Sequence, residues 1–335
     1  MKTKGIIFLL GLGIVSCSFL GNNTKNSYIF GTLEDAQKLR IAIVPKGSSH
    51  IFWRGIYSGA QEAASQYNVE LLWRSPLKED DIQMQIAQIE HLREEGFHGL
   101  IVSPLDKHEL NDLLASVTNA QKPLVILDSD IDNPHLYKSF VATDNYNSGK
   151  ICAEKLAEAL QRKGTVLVVR YMEGSGSTLK REIGFIETMQ QIAPDIKLVG
   201  IDKFSGGSLE SAFHYSQELL YEYPDISGIF ASNEPTTQGM LRALQMQGKA
   251  SKVKFIGFDA NESLVHAVED GEILALAVQE PHQMGYRAVE TMVKILRGEE
   301  VSKEVVTNVK LITKDNLEDK VIIKYLKPTI DIHHN

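Results

Sequence analysis

Hydrogen-bonding side chains follow several strand-like runs of this sequence, at the point where each run ends. Asp128 comes directly after Leu124–Leu127, and Asp259 comes directly after residues 253–258. Carboxylates accept hydrogen bonds from hydroxyl groups, amides both donate and accept, and aromatic rings cover the apolar face of a sugar ring. A set of this kind suits a neutral ligand that is rich in hydroxyl groups. The other members at strand ends are His50, Phe52, Trp53, Ser103, Ser129, Phe204, Asn233 and Gln279.

Other chemistries find little support in the sequence. Residues 174–178 (GSGST) could open a helix against a phosphate, but they lack the Gly-Lys-Ser/Thr ending of a P-loop. The sequence contains neither the Gly-x-Ser-x-Gly elbow of a hydrolase nor a metal-ligand cluster with helical spacing. The two cysteines, Cys17 and Cys152, are too few for a disulfide framework or a multi-cysteine metal site. We therefore expect no cofactor and no metal.

The composition is that of an ordinary globular protein with an acidic surplus. The chain has 335 residues, of which 43% are hydrophobic and 23% are charged. At about 150 residues per domain, this length favours two domains. The 35 Lys and Arg residues and 43 Asp and Glu residues give a net charge of −8. Because a protein that binds the phosphate backbone usually presents a basic face, nucleic acid is not expected as a partner.

The first residues are typical of a secretion signal. Lys2 and Lys4 precede residues 5–15 (GIIFLLGLGIV), which are uncharged and too short for a stable membrane-spanning helix. Residues 14–17 (IVSC) resemble the lipobox of bacterial lipoproteins, in which the cysteine is lipidated and becomes the mature N-terminus. Cleavage near Cys17 without lipid is the alternative. We expect a lipoprotein signal peptide over 1–17 with lipid on Cys17, a tether over 18–38 and a folded part outside the cytoplasm.

Short apolar runs alternate with helical patterns along the rest of the chain. The first block begins with a strand at 39–44 and a helix at 51–67, and it includes a helix at 107–120. The rhythm repeats after Gly164, beginning with a strand at 165–169. Continuous apolar strands between helices indicate parallel sheets that are covered on both faces. The sequence thus predicts an α/β fold of two doubly wound lobes, with ligands bound beyond the carboxyl ends of the strands.

Several short motifs follow one another in a definite order. They are Phe52-Trp53 with 59–61 (GAQ), 103–106 (SPLD), 127–128 (LD), 143–145 (TDN), Arg181 with 184–185 (GF), 230–234 (FASNE), 239–245 (GMLRALQ), 257–259 (GFD) and Gln279. Their order and spacing resemble the ribose-type periplasmic binding proteins of sugar ABC transporters, whose lobes are shared with lac-repressor-type regulators. The resemblance covers about residues 39–313. It implies two Rossmann-like lobes joined by a three-crossover hinge, as in type I periplasmic binding proteins.

The resemblance also implies a role for each matched position in a sugar site. Phe52 and Trp53 match two ring-contacting aromatics of the N-terminal lobe, and Phe204 matches a third from the other lobe. Asp128 and Asp259 match carboxylates that accept hydroxyl hydrogens from opposite lobes. The remaining matches complete the hydrogen-bond set with the cation Arg181 and the amides Asn233 and Gln279.

Three positions depart from the pattern of the resembled family. His50 and Ser103 stand where amides are usual, and Ser129 stands where ribose binders place a second arginine. With Arg181 as the only matched cation, the pocket is expected to lack one donor and one positive charge. The ligand therefore stays open among a ribose-like pentose, a hexose, a polyol and another small polar molecule.

Three chain crossings define the predicted hinge. We place them near Thr143, near residues 279–280 and near residues 308–309. The lobes so defined are an N-terminal lobe of 39–142 plus 281–308 and a C-terminal lobe of 143–280 plus 309–335.

These features together predict an extracytoplasmic solute-binding lipoprotein. It captures a monosaccharide, ribose-like or related, by hinge closure and delivers it to an ABC permease. The alternative is a sensor lipoprotein that presents its closed form to a membrane receptor or histidine kinase, and the sequence does not separate the two. An enzyme is not expected, and a regulator would need a DNA-binding motif where the signal segment stands. The resemblance to sugar-binding proteins implies a monomer, and the resemblance of residues 14–17 to a lipobox implies contact with the membrane through lipid.

Overall fold

Two six-stranded sheets with helices on both faces make up residues 38–323, the part of the chain that the computed structural model describes. The first elements are β1 (Arg40–Val44), α1 (Ile51–Tyr67), β2 (Glu70–Trp73), α2 (Ile82–Glu95), β3 (Gly99–Val102), α3 (Asn111–Asn119), β4 (Leu124–Leu127) and β5 (Ser139–Thr143). They are followed by α4 (Asn145–Ala159), β6 (Gly164–Val169), α5 (Gly176–Ile192), β7 (Ile196–Val199), α6 (Leu209–Glu222), β8 (Gly228–Ala231), α7 (Glu234–Met246) and β9 (Lys254–Phe258). The last are α8 (Glu262–Glu269), β10 (Ala275–Gln279), α9 (Pro281–Leu296), β11 (Glu304–Thr307) and β12 (Val309–Ile312).

The central strands are apolar at every position because both faces of each sheet are covered. β3, β4 and β8 are buried along their whole length. Such strands need a helical layer on each side, and α1 and α9 pack together as part of one such layer. Burial of apolar surface on this scale is the main favourable term for each lobe.

The strand order shows where the chain moves between the sheets. It is β11-β5-β4-β3-β1-β2 in the first sheet and β12-β10-β9-β8-β6-β7 in the second. The chain leaves the first sheet after Thr143, returns to it after Gln279, and passes from β11 to β12 at Asn308. We call the first sheet with its helices the N-lobe and the second the C-lobe. The predicted fold of two doubly wound α/β lobes is confirmed, with one addition: the edge strand β12 pairs antiparallel with β10.

One predicted helix begins later than its sequence pattern indicates. A helix was expected from residue 107, but α3 begins at Asn111. Asp106 Oδ1 accepts hydrogen bonds from the backbone N–H groups of His108 (2.7 Å) and Glu109 (3.1 Å). This side-chain turn competes with the first helical turn and holds the segment in a loop beside the cleft between the lobes.

Paired glycines bring helices α4 and α5 into close contact. A Cβ atom on Gly149 would overlap the carbonyl oxygen of Arg181, and one on Gly184 would overlap the carbonyl oxygen of Tyr146. The two backbones therefore approach more closely than any larger residue allows. This packing fixes the position of α5, which carries Arg181 to the cleft.

Gly149→Ala is expected to lower the free energy of unfolding by about 1–3 kcal/mol, because the added methyl group must push α4 and α5 apart. Urea unfolding of the purified variant measures this change. The exposed neighbour Lys150 on the same helix provides the control, since Lys150→Ala should stay within about 0.5 kcal/mol of the wild type. A Gly149→Ala variant as stable as the Lys150→Ala variant would contradict the close-packing account.

Residues 1–37 and 324–335 are outside the described part of the chain, so the predicted signal peptide and Cys17 lie there. Within residues 38–323, none of the helices combines the length and the apolar character that crossing a membrane requires.

Candidate functional site

Two aspartates occupy equivalent places in the two lobes. Asp128 follows β4 with φ 62°, and Asp259 follows β9 with φ 64°. Their backbone N–H groups bond the neighbouring strands, to the carbonyl of Val141 (2.9 Å) and of Ala277 (2.8 Å) respectively. Aspartate tolerates this left-handed conformation better than most side chains do. The same backbone turn thus holds one carboxylate at the carboxyl edge of each sheet.

Both carboxylates line one cavity between the lobes. Most of the predicted site residues line this cavity. They are His50, Phe52, Trp53, Asp128, Arg181, Asn233, Asp259 and Gln279.

On the C-lobe side, Asp259 is held by an amide and a guanidinium. Gln279 Nε2 donates to Asp259 Oδ1 at 2.7 Å, and Arg181 Nη1 lies 3.9 Å from Asp259 Oδ2. Burial raises the pKa of Asp259, while the charge of Arg181 and the Gln279 hydrogen bond oppose that rise. Burial also lowers the pKa of Arg181, which Asp259 and Asp128 counteract.

Contacts inside the C-lobe fix the direction of the Arg181 guanidinium. Arg181 Nε donates to Asn145 Oδ1 at 2.8 Å, and Nη1 donates to the carbonyl of Ser232 at 3.0 Å. The guanidinium carbon also lies 3.8 Å from the centre of the Phe258 ring. The cation is therefore in place before any ligand arrives.

On the N-lobe side, Lys46 supplies a cation that is not among the residues predicted from the sequence. Lys46 Nζ lies 3.1 Å from Asp128 Oδ2, and both side chains are only 4% exposed. The expectation that the pocket lacks a second positive charge because of Ser129 was wrong, since the charge comes from the loop after β1 instead. The same ammonium donates across the cleft to Ser175 Oγ (3.3 Å) and Ser177 Oγ (3.2 Å) of the C-lobe.

Ser103 and Ser129 lie beneath Asp128, outside the cavity lining. The Ser103 hydroxyl donates to Asp128 Oδ2 at 3.4 Å, and the Ser129 hydroxyl lies 3.1 Å from the same oxygen. Both serines are fully buried. The two serines therefore contact the Asp128 carboxylate and do not line the cavity.

Phe204, the aromatic expected from the C-lobe, is also absent from the cavity lining. Its ring lies under the guanidinium of Arg170, whose carbon is 4.1 Å from the ring centre. Tyr171 is the C-lobe aromatic that lines the cavity. The sequence places Tyr171 two residues after β6, at a strand end, so the strand-end rule could have found it.

Glu79 links the two lobes beside the aromatic side chains that line the cavity. It accepts hydrogen bonds from Trp53 Nε1 of the N-lobe and from the Tyr171 hydroxyl of the C-lobe, the latter at 2.9 Å. His50 Nε2 lies 3.7 Å from Glu79 Oε1. Burial and the adjacent Glu79 carboxylate raise the pKa of Tyr171 well above its usual range, so this hydroxyl stays a donor. These contacts hold the lobes in a closed arrangement.

Asn233 and Glu234 approach the cavity from the start of α7. Asn233 Oδ1 accepts from the backbone N–H of Thr236 at 3.2 Å, so this side chain caps α7 and leaves its amide N–H groups for the cavity. Glu234 Oε1 accepts from Asn261 Nδ2 at 3.1 Å. The lining residues that were not predicted from the sequence are Lys46, Glu79, Tyr171, Ser177, Thr178, Glu234 and Pro235.

Tyr171→Phe is expected to weaken ligand binding by about ten- to hundredfold, because it removes a donor to the Glu79 carboxylate that is available only when the lobes are closed. The loss should come from faster ligand dissociation, which stopped-flow displacement measures. Tyr215→Phe is the matched control, since the Tyr215 hydroxyl has no hydrogen-bond partner in the described part of the chain. Equal dissociation rates for the two variants would contradict a closing role for Glu79 and Tyr171.

Comparisons with known proteins show the family to which the chain is similar. The family described as periplasmic binding protein domain matches residues 41–300. The ribose import binding protein RbsB of Escherichia coli is 28% identical over 281 residues, which cover 82% of this chain and 90% of that protein. The periplasmic component of an ABC-type sugar transport system from Hahella chejuensis is 33% identical with a TM-score of 0.78, and the match covers 82% of this chain and 99% of that chain. A carbohydrate transporter solute binding protein from Agrobacterium radiobacter, in complex with D-arabinose, is 29% identical with a TM-score of 0.82, covering 87% and 99%.

Proposed function

Because the chain belongs to the periplasmic binding protein domain family, we propose that it captures a monosaccharide outside the cytoplasm and delivers it to an ABC permease. The similar proteins are named for this role, as a ribose import binding protein and as transporter solute binding proteins with D-arabinose or D-fucose bound. The alternative of a sensor that presents its closed form to a receptor receives no support from these relatives.

The observation that carries the proposal is the pair of aspartates on opposite walls of one small cavity. Asp128 of the N-lobe and Asp259 of the C-lobe each have a buried cation beside them, Lys46 and Arg181. The carboxylates accept hydrogen bonds from the hydroxyl groups of a sugar, and the cations donate hydrogen bonds to them. Because buried hydroxyls without partners are costly, a complete set of partners from both lobes confers affinity and specificity.

Closure of the two lobes is the step that completes the site. In an open form, a sugar would meet the Asp128 wall or the Asp259 wall alone. Bending at the crossings near Thr143, Gln279 and Asn308 would bring the second wall onto it. The sugar shifts the population towards the closed form because only that form offers both sets of partners. The permease would then recognise the closed shape.

Thermal unfolding against a panel of pentoses, hexoses, polyols and nucleosides tests the proposed function. A ligand that binds only the folded state stabilises it by about 2.7 kcal/mol at a hundredfold excess over Kd. For a chain of this size we expect the melting temperature to rise by about 5 °C with the cognate sugar. If no sugar in the panel shifts the transition, the assignment to monosaccharide capture is wrong.

The finer features of the function belong to the same proposal. The protein binds its sugar without chemical change, which NMR spectroscopy of the recovered ligand tests.

It is held at a bacterial membrane by lipid on Cys17, and Cys17→Ala would release it into the soluble fraction. It acts as a monomer. The proposed lobes are 39–142 plus 281–308 and 143–280 plus 309–335, and the strand order of the two sheets supports a division near these bounds.

A further inference from the structure

One hydrogen-bond acceptor in the cavity has no donor in the described part of the chain. Glu234 Oε2 has no hydrogen-bond partner in the described part of the chain, although the residue is only 7% exposed and lines the cavity. Its other oxygen is bound by Asn261 Nδ2. A buried carboxylate oxygen without a donor is costly, so a group that is brought by the ligand is the natural partner.

The charges of the lining residues indicate what kind of group this is. Four carboxylates line the cavity together with two cations, and each cation lies beside one aspartate: Lys46 beside Asp128 at 3.1 Å and Arg181 beside Asp259 at 3.9 Å. The other two carboxylates are Glu79 and Glu234.

The two glutamates differ in how the protein compensates them. Both oxygens of Glu79 accept hydrogen bonds, from Trp53 and Tyr171, and His50 lies 3.7 Å away. Glu234 has an amide on one oxygen and nothing on the other. Glu234 is therefore the carboxylate of the cavity that keeps an oxygen without a donor in the described part of the chain.

The ligand can determine whether the Glu234 carboxyl group is protonated or ionised. Burial raises the pKa of Glu234 to about 7, with Asp259 and Glu79 adding to the rise and His50 and Asn261 opposing it. Near neutral pH a ligand cation would favour the carboxylate form, whereas a neutral hydroxyl group would supply a hydrogen bond but no compensating charge.

We propose that the cleft is built for a monosaccharide that carries a protonated amino group, with the ammonium placed against Glu234 Oε2. This inference rests on the proposed function, since it specifies the sugar that the same cleft captures. The ammonium would donate to the free oxygen and compensate the charge of Glu234. The hydroxyl groups of the same sugar would meet Asp128, Asp259 and their cations.

Calorimetric titration at pH 7 with matched pairs of sugars tests this inference. The pairs are glucose with glucosamine, galactose with galactosamine, mannose with mannosamine, and ribose with 3-amino-3-deoxyribose. In at least one pair the amino sugar should bind ten- to hundredfold more tightly than its parent, the ratio that a charge-assisted hydrogen bond supplies. The N-acetyl derivative, which carries no charge, should lose this advantage.

Two variants separate the role of Glu234 from a general effect of charge. Glu234→Gln keeps the size of the side chain and should bring the ratio between amino sugar and parent to about one. Glu262→Gln removes an exposed charge in α8 and should leave the ratio unchanged. A neutral parent that binds as tightly as its amino partner in every pair overturns the inference and leaves sugar capture standing. If neither neutral nor amino sugars bind, both proposals are overturned.

Discussion

Asp259→Asn is expected to weaken sugar binding by about a hundredfold or more. The substitution keeps the shape of the side chain and a residue type that accepts the left-handed backbone at φ 64°. It removes the carboxylate beside Arg181, a side chain that is 2% exposed, and so leaves a buried cation short of its nearest compensating charge. The lost carboxylate would accept from two hydroxyl groups of the sugar, and two charge-assisted hydrogen bonds of about 1.5–3 kcal/mol each correspond to at least a hundredfold in affinity.

Calorimetric titration of the variant with the sugar identified by the panel measures this loss. The exposed Asp225 in the same lobe gives the control, because Asp225→Asn removes the same charge without touching the cleft. Urea unfolding of the unliganded variants shows whether the fold is kept. Binding by Asp259→Asn within about threefold of the wild type would show that this carboxylate does not hold the sugar.

A double-mutant cycle on Lys46 and Asp128 is expected to show strong coupling between the two residues. Lys46→Met leaves the Asp128 carboxylate buried without its cation, and Asp128→Asn leaves the Lys46 ammonium without its anion. Each single variant should therefore weaken sugar binding by about a hundredfold. The double variant should lose far less than the product of the two, with a coupling of at least about 2 kcal/mol in the binding free energy.

The exposed pair Lys150 and Glu154 on α4 supplies the control cycle. These side chains are about half exposed and 3.9 Å apart. Substituting them by Met and Gln should have additive effects within about 0.5 kcal/mol. If the Lys46 and Asp128 substitutions are equally additive, the pair is not the compensated unit that the structure indicates, and the N-lobe wall of the site must be revised.

The fold was predictable wherever strands are apolar throughout. β3 and β4 can be recognised in the sequence as short apolar runs because both of their faces are covered. β11 and β12 give no such signal, since they are edge strands with exposed and partly buried residues in alternation. The late start of α3 depends on one side-chain turn at Asp106, which hydrophobic periodicity does not report.

The site was predictable where it depends on strand ends. Asp128 and Asp259 follow buried strands directly, so the geometry of parallel sheets brings them to the cleft. Glu79 comes from the loop between β2 and α2, and its burial depends on Tyr171, which is 92 residues away in sequence. Lys46 stands in a strand-end loop, but only its contact with Asp128 distinguishes it from a solvated lysine. Contacts across the cleft are set by the tertiary structure, and sequence patterns do not contain them.

Small-angle X-ray scattering of the purified protein, with and without the sugar identified by thermal unfolding, tests whether the lobes close on the sugar. We expect a wider distribution of distances and a larger radius of gyration without sugar, and a saturable decrease at one sugar per chain. The unliganded form should lack the contacts between Glu79 and Tyr171 and between Lys46 and Ser177 that hold the lobes together. A sugar that binds while the scattering curve stays unchanged would contradict capture by closure of the two lobes.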